Sequence, residues 1–161
     1  MAVKLSSGLR YGLLVEDCWL DLLANCVIGL FGSSQPNDAD QAENATLLGL
    51  VTLNGGAFVA GSPTNGLNFD AIPVHDALYT KTTMIKPVAA TWKCVALANG
   101  TIGWARVYAN AYVTGASYTA KRFDATAAVA GGQVTVSSSQ AVLGVPISVD
   151  AANIIMNAYR R

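Results

Sequence analysis

The segment 91-TWKCVALANGTIGWARVYANAYVT-114 decides the fold expected of this chain. After Asn99-Gly100 its residues alternate. Ile102, Trp104, Arg106, Tyr108, Asn110 and Tyr112 fall on one side, and Gly103, Ala105, Val107, Ala109, Ala111 and Val113 on the other. A period of two is that of a strand. Asn-Gly supports the left-handed backbone of a tight turn, which predicts a hairpin of Thr91–Ala98 with Thr101–Thr114. The small apolar side suits packing against a second layer. The other side, aromatic with Arg and Asn, suits a partly exposed or contacted surface.

Working outward, Cys26–Phe31 and Leu47–Leu53 read as strands, the second closed by Asn54-Gly55-Gly56. Short strands are expected at Ala57–Ala60 and Gly66–Ile72, bracketed by Pro63, Asn65-Gly66 and Pro73. Later ones are expected at Ala120–Phe123, Gln133–Ser137, Val142–Val149 and Asn153–Tyr159. Before them, Leu9, Leu13, Leu20 and Leu23 recur near helical spacing, while Arg10, Glu16, Asp17 and Asp21 face water. This predicts one helix over 6–25, capped by Ser6 or Ser7 and weakened by Gly8 and Gly12, with a break near Val15. Gln35 to Asn44 is polar and turn-rich, an exposed loop with a brief helical turn. Eight or nine short strands predict a mainly β chain: an antiparallel β-sandwich, jelly-roll-like, with one N-terminal helix. A single domain covers 1–161, the helix over 6–25 and the sandwich over 26–159.

Composition narrows the function. Of 161 residues only 12% are charged and 52% are hydrophobic, which excludes a disordered chain. A formal net charge of zero disfavours a nucleic-acid binder that relies on overall positive charge. Charge is split along the chain: eight acidic and two basic residues up to Asp76, then two acidic and eight basic. Interleaved halves would close this asymmetry internally. Gly, Pro and polar residues interrupt the long uncharged runs, so no membrane span is expected, and Arg10, Glu16 and Asp17 break the apolar start, so no secretory leader is expected. The three cysteines, Cys18, Cys26 and Cys94, lack close pairing and read as small buried thiols.

Chemistry is sparse. The lone His75 stands beside Asp76 after Pro73, where neighbouring side chains of an extended chain point apart. G-x-S-x-G, P-loop and G-x-G-x-x-G motifs are absent. Asp38, Asp40 and Glu43 form the densest carboxylate group, but without the spacing of a calcium loop they read as helix-capping or solvated acids. Asn44-Ala45-Thr46 and Asn99-Gly100-Thr101 match the glycosylation pattern, which means little without a leader. The expectation is a protein with no catalytic residues, metal or cofactor, and not an enzyme.

Five stretches carry a resemblance: Leu9-Arg10-Tyr11-Gly12-Leu13-Leu14; Leu22 to Phe31; Ser34-Gln35-Pro36-Asn37-Asp38-Ala39-Asp40-Gln41-Ala42-Glu43; Thr46-Leu47-Leu48-Gly49; and Asn65-Gly66-Leu67-Asn68-Phe69. Over about its first 70 residues the chain resembles a group of tailed-bacteriophage virion proteins. Ser33-Ser34 replaces that group's Gly-Thr-like pair, and Asn44-Ala45 stands where Thr-Gly is common. The resemblance is nearest to a capsid cement (decoration) protein, made in the bacterial cytoplasm and bound to the exterior of the virion. It implies the major capsid protein of an HK97-type shell as partner, with no nucleic acid and no membrane.

Exposure and free chain ends select the candidate contacts: Lys4 in the N-terminal arm, Gln35, Pro36, Asp38 and Asp40 in the loop, and Tyr159, Arg160 and Arg161 at the end. The uncharged strand surface predicts a homo-oligomer. The rival readings are a tail or head–tail adaptor component, and a carbohydrate-binding sandwich that uses Trp92, Trp104 and Tyr108 as stacking faces. Burial of all three aromatics would remove the last.

Overall fold

The computed structural model describes residues 3–75 and 80–157, with side chains except those of 72–82 and 156–157. In chain order the elements are β1 (Lys4–Leu5), α1 (Ser7–Val15), α2 (Trp19–Leu22), β2 (Val27–Gly32), β3 (Leu47–Leu53), β4 (Asp70–His75), β5 (Thr80–Ile85), β6 (Trp92–Val95), β7 (Gly100–Tyr108), β8 (Arg122–Ala128), β9 (Val134–Val136), β10 (Gln140–Ala141) and β11 (Pro146–Asn157).

The expected hairpin is absent: β6 and β7 do not pair with each other. β6 lies between β3 and β11, while β7 lies between β2 and β8. The turn explains this, because neither Asn99 nor Gly100 adopts the left-handed backbone of a two-residue hairpin. Asn54-Gly55 does adopt it, with φ of 56° and 70°. At Gly100 the small residue serves a close approach instead, since a Cβ there would stand 2.9 Å from Leu48 Cδ2.

Following the pairs round, β8–β7–β2–β3–β6–β11–β9 returns to β8, so seven strands close on themselves. The mainly β expectation holds, but the architecture is a closed barrel and not the jelly-roll-like sandwich. Both arrangements bury alternate residues, so sequence alternation alone does not separate them. All barrel pairs are antiparallel except β8–β9, where Ala127 and Ala128 pair in parallel with Val134 and Thr135. Only five residues join these two strands. Gln133 makes the tight return feasible: its Oε1 accepts from Thr126 N at 3.0 Å, and its N–H donates to Thr126 Oγ1 at 3.1 Å.

Three additions decorate the ring. β1 pairs with β8, β10 pairs with the start of β7, and the β4–β5 hairpin pairs with the far half of β11. β11 is one 12-residue strand, where two strands had been expected, and its register shifts around Asp150. Residues 57–60 are not a strand, while Thr80–Ile85 is one that the sequence did not announce.

Ile28, Leu30, Val51, Ala105, Val107, Phe123 and Val149 are buried in the main core, and Leu9 of α1 joins them. The single expected helix is two short ones. Ser6 caps α1 by accepting from Leu9 N at 3.1 Å and donates its own hydroxyl to Ala120 O at 2.7 Å. Past Val15, Asp17 Oδ1 takes the N–H of Cys18, a local bond that competes with helix. α2 then seats Trp19 edge-on against Phe123 at 5.7 Å. Gly8 lets α1 lie directly on the chain beyond β7, since a Cβ there would be 2.3 Å from Thr119 O.

The mixed side of β7 is not a surface. Phe31 and Trp104 stack at 4.5 Å, and with Val27 and Tyr108 they form a second buried cluster on the barrel's outside. Ala45, Leu47, Leu50, Phe58 and Tyr112 pack against it. At Gly103 the register slips: Phe31 pairs with Trp104, but Gly32 pairs with Ile102. This bulge turns Ile102 away from its expected neighbours and into the main core.

Candidate functional site

Two buried arginines, Arg106 within β7 and Arg122 at the start of β8, organise the loop expected to stand free. Arg106 on β7 forks onto Asp124 on β8, Nε to Oδ1 at 2.5 Å and Nη2 to Oδ2 at 2.9 Å, with both side chains fully buried. Its third nitrogen, Nη1, donates to Gln41 O at 2.8 Å and to Glu43 Oε1 at 3.1 Å. Arg122, also buried, donates to the carbonyls of Ala39, Asp40, Gln41 and Val113. The loop's backbone therefore supplies the acceptors that buried guanidinium groups require.

Glu43 also accepts from Tyr108 Oη at 2.7 Å and from Gly115 N at 2.9 Å. Burial pushes its carboxyl up, but the bonds from Tyr108 and the backbone, with the Arg106 charge, carry it below the ordinary carboxylate value. The Tyr108 phenol is pushed far upward, first by burial and then by Glu43. Arg106 is held protonated: burial opposes its charge, and the Asp124 bond and charge outweigh that.

A pH dependence follows. The folded value of Glu43 lies below its unfolded value, so the stability it contributes is present at neutral pH. That stability is lost as pH falls through the ordinary carboxylate range towards the folded value. Glu43→Gln is expected to lower stability by about 1–3 kcal/mol at pH 7 and to flatten the acid limb of a urea-midpoint-against-pH curve. Superimposable curves for the two proteins would refute this role.

The loop's burial changes the standing of the candidate contacts. Gln35, Pro36 and Asp40 are buried, so the exposure for which they were chosen is absent. Asp40 takes the N–H and hydroxyl of Ser7 at 2.7 and 2.6 Å, and Asp38 takes the N–H of Asp40 at 2.9 Å. Lys4 is not a free arm: it is paired in β1 and donates to Pro36 O. Tyr159, Arg160 and Arg161 lie outside the described residues, as does the side chain of His75.

The charge split closes internally at Glu43–Arg106, Glu43–Arg122 and Glu16–Lys121, each joining the acidic half to the basic half. Asp38, Asp40 and Glu43 serve separate internal donors and do not converge as ligands. Asp17, Cys18 and Asp21 do converge, but all three are exposed. Cys18 thus departs from the buried-thiol expectation, whereas Cys26 and Cys94 are buried and pushed by that burial to about 12 and about 11. Trp92, Trp104 and Tyr108 are all buried, so none offers a face to a sugar. Their burial removes the reading of a carbohydrate-binding sandwich that stacks sugars on these three rings.

What the surface does offer is apolar, at two opposite ends of the barrel. At the end where β7 begins, Val95, Leu97, Val142, Leu143 and Val145 are all exposed. They are held together by Ala96 N to Val145 O, Gly144 N to Ala96 O, and Leu143 N to Asn99 Oδ1, at 2.8–2.9 Å. At the other end, Tyr11, Leu14 and Val15 of α1 and the nearby Tyr118 face solvent. An open groove of about 500 Å³ lies there, lined in part by Gly8, Tyr11, Tyr118 and Lys121. The nine residues of β7 set these ends roughly 25–30 Å apart. Sequence reading overlooked both surfaces because it assigned exposure by polarity, whereas here loops and helix ends carry the exposed Val and Leu. No protein-family model, no curated protein and no solved structure matches this chain.

Proposed function

We propose that the chain is a structural subunit of a tailed-phage virion that binds the exterior of an HK97-type shell and stabilises it by bridging neighbouring capsid subunits. The observation that carries this reading is the exposed cluster of Val95, Leu97, Val142, Leu143 and Val145. Contiguous exposed apolar surface, set on a hydrogen-bonded framework, marks a site of protein contact. The resemblance over the first 70 residues supports the phage assignment. The engagement of the buried charged side chains in internal bonds fits a protein whose work is contact. Binding to the assembled lattice would stabilise it by mass action, and many copies on one particle add avidity.

Leu143→Asp is expected to lower occupancy on purified particles at least tenfold while the circular dichroism of the isolated protein stays unchanged. Quantitative gels supply the copy number, with hundreds per particle expected. Six or twelve copies would replace the shell reading with a tail or head–tail adaptor. Full occupancy by the variant would take this surface out of the contact. The C-terminal Tyr159, Arg160 and Arg161, outside the described residues, remain proposed contacts as well.

A further inference from the structure

We propose that the α1 end of the barrel is a self-complementary surface on which two copies of this chain pair about a two-fold axis. The pairing is independent of what the far end binds. Its basis is the solvent-facing side of α1. Tyr11, Leu14 and Val15 are spaced i, i+3 and i+4, so they form one stripe, and they are 58%, 86% and 62% exposed. Tyr118, 80% exposed, stands beside them. Together these side chains leave about 400 Å² of apolar surface in water. Two such faces give about 800 Å², and their polar rims bring the total to the lower range of stable interfaces.

The stripe has a knob, a hole and a polarity. Leu14 is the knob, and the groove lined by Gly8, Tyr11, Tyr118 and Lys121 is the hole on the same surface. A surface that carries both satisfies itself across a two-fold axis, because each knob-in-hole contact is made twice, once by each copy. In an antiparallel pairing of two α1 helices, Leu14 of one copy stands opposite Tyr11 of the other.

The same register sets the charges. Arg10 lies at one end of the stripe, and Asp17 lies two residues past Val15, where α1 ends. Both are exposed, and neither has an ion-pair partner among the described residues. With Leu14 opposite Tyr11, Arg10 of each copy stands opposite Val15 of the other, two residues or about 3 Å short of Asp17, an offset the long arginine side chain spans. A parallel arrangement would set like charges together.

The face is rigid before any partner arrives, which lowers the cost of association. Gly8 seats α1 on the Thr119 backbone, Ser7 is held by Asp40, and Ser117 N donates to Asp40 O at 2.9 Å. The helix and the Tyr118 turn therefore share one anchor.

Sedimentation equilibrium of the full chain at micromolar concentration tests this. Dimer is expected for the parent protein, and Leu14→Asp should raise the dissociation constant at least tenfold without changing the circular dichroism. Arg10→Asp alone and Asp17→Arg alone should each weaken the dimer severalfold, and the double exchange should restore it. Leu143→Asp, at the far end, should leave it unchanged. A parent protein that is monomeric at 200 µM overturns the proposal. So does a dimer indifferent to Leu14→Asp, a charge exchange without rescue, or a dimer broken by Leu143→Asp.

Discussion

Asp124→Ala is expected to destabilise the protein by about 3–5 kcal/mol, seen as a lowered urea midpoint and a melting temperature down by roughly 10 °C or more. The carboxylate is the bidentate partner of Arg106, and both side chains have no access to solvent. Removing it leaves a guanidinium in the interior, with Arg122 close enough to add repulsion: burial first, and then the charge of Arg106, hold the Arg122 pKa below its usual value. Glu43 remains, but it meets Arg106 through a single nitrogen. The paired replacement Arg106→Met with Asp124→Leu separates the cost of a broken pair from the value of an intact one. It should destabilise markedly less than Asp124→Ala, because no unpaired charge stays behind. If the double variant is as unstable as the single one, the loss comes from the unanchored loop over Ala39–Glu43 and not from the stranded charge.

Gly103→Ala is expected to be comparably damaging, at about 3 kcal/mol or more. Strand propensity alone would favour alanine by a fraction of a kcal/mol. Sterics reverse the sign, since the new Cβ would stand 2.0 Å from the carbonyl oxygen of Ser33. That neighbour is backbone and cannot swing aside. Relief requires β2 and β7 to part at the bulge, and there Trp104 is anchored through Nε1 to Gly32 O at 2.9 Å. Gly115→Ala is the comparison: its φ of 75° disfavours alanine, but nothing lies within 4 Å of the added carbon. It should cost about 1 kcal/mol. Equal urea midpoints for the two variants would contradict the close contact at Gly103.

Local signals proved readable where a single residue type decides the outcome. Ser6 caps α1, Leu47–Leu53 has the bounds its apolar run implies, and Asn54-Gly55 makes the left-handed turn. Pairing partners were another matter. Asn99-Gly100 carries the same dipeptide, yet Gly100 is committed to close packing on Leu48, and its two flanking strands leave in different directions. Closure was equally hidden, because it depends on two residue pairs between β8 and β9.

The polar loop misled for a physical reason. Polarity usually means water, but the Glu43 carboxylate and the backbone carbonyls of Ala39, Asp40 and Gln41 meet arginines that lie inside the fold. Arg106 offered the clue: it shares its side of the strand with Trp104 and Tyr108, and large aromatics so placed call for a cover, which must then supply acceptors for the cation. The exposed apolar faces were less legible still, since Leu14 and Leu143 look like core residues until the elements around them are in position.

The short return between β8 and β9 also bears on the order in which the molecule assembles. Loop-closure entropy rises with the logarithm of the segment closed, so bringing Gln133 back to Thr126 is easy whenever β8 exists. Meeting Val27 with Tyr108 spans 80 intervening residues and is the costly encounter. Of the seven pairings that close the ring, β2–β7 therefore carries the largest entropic cost and β8–β9 the smallest.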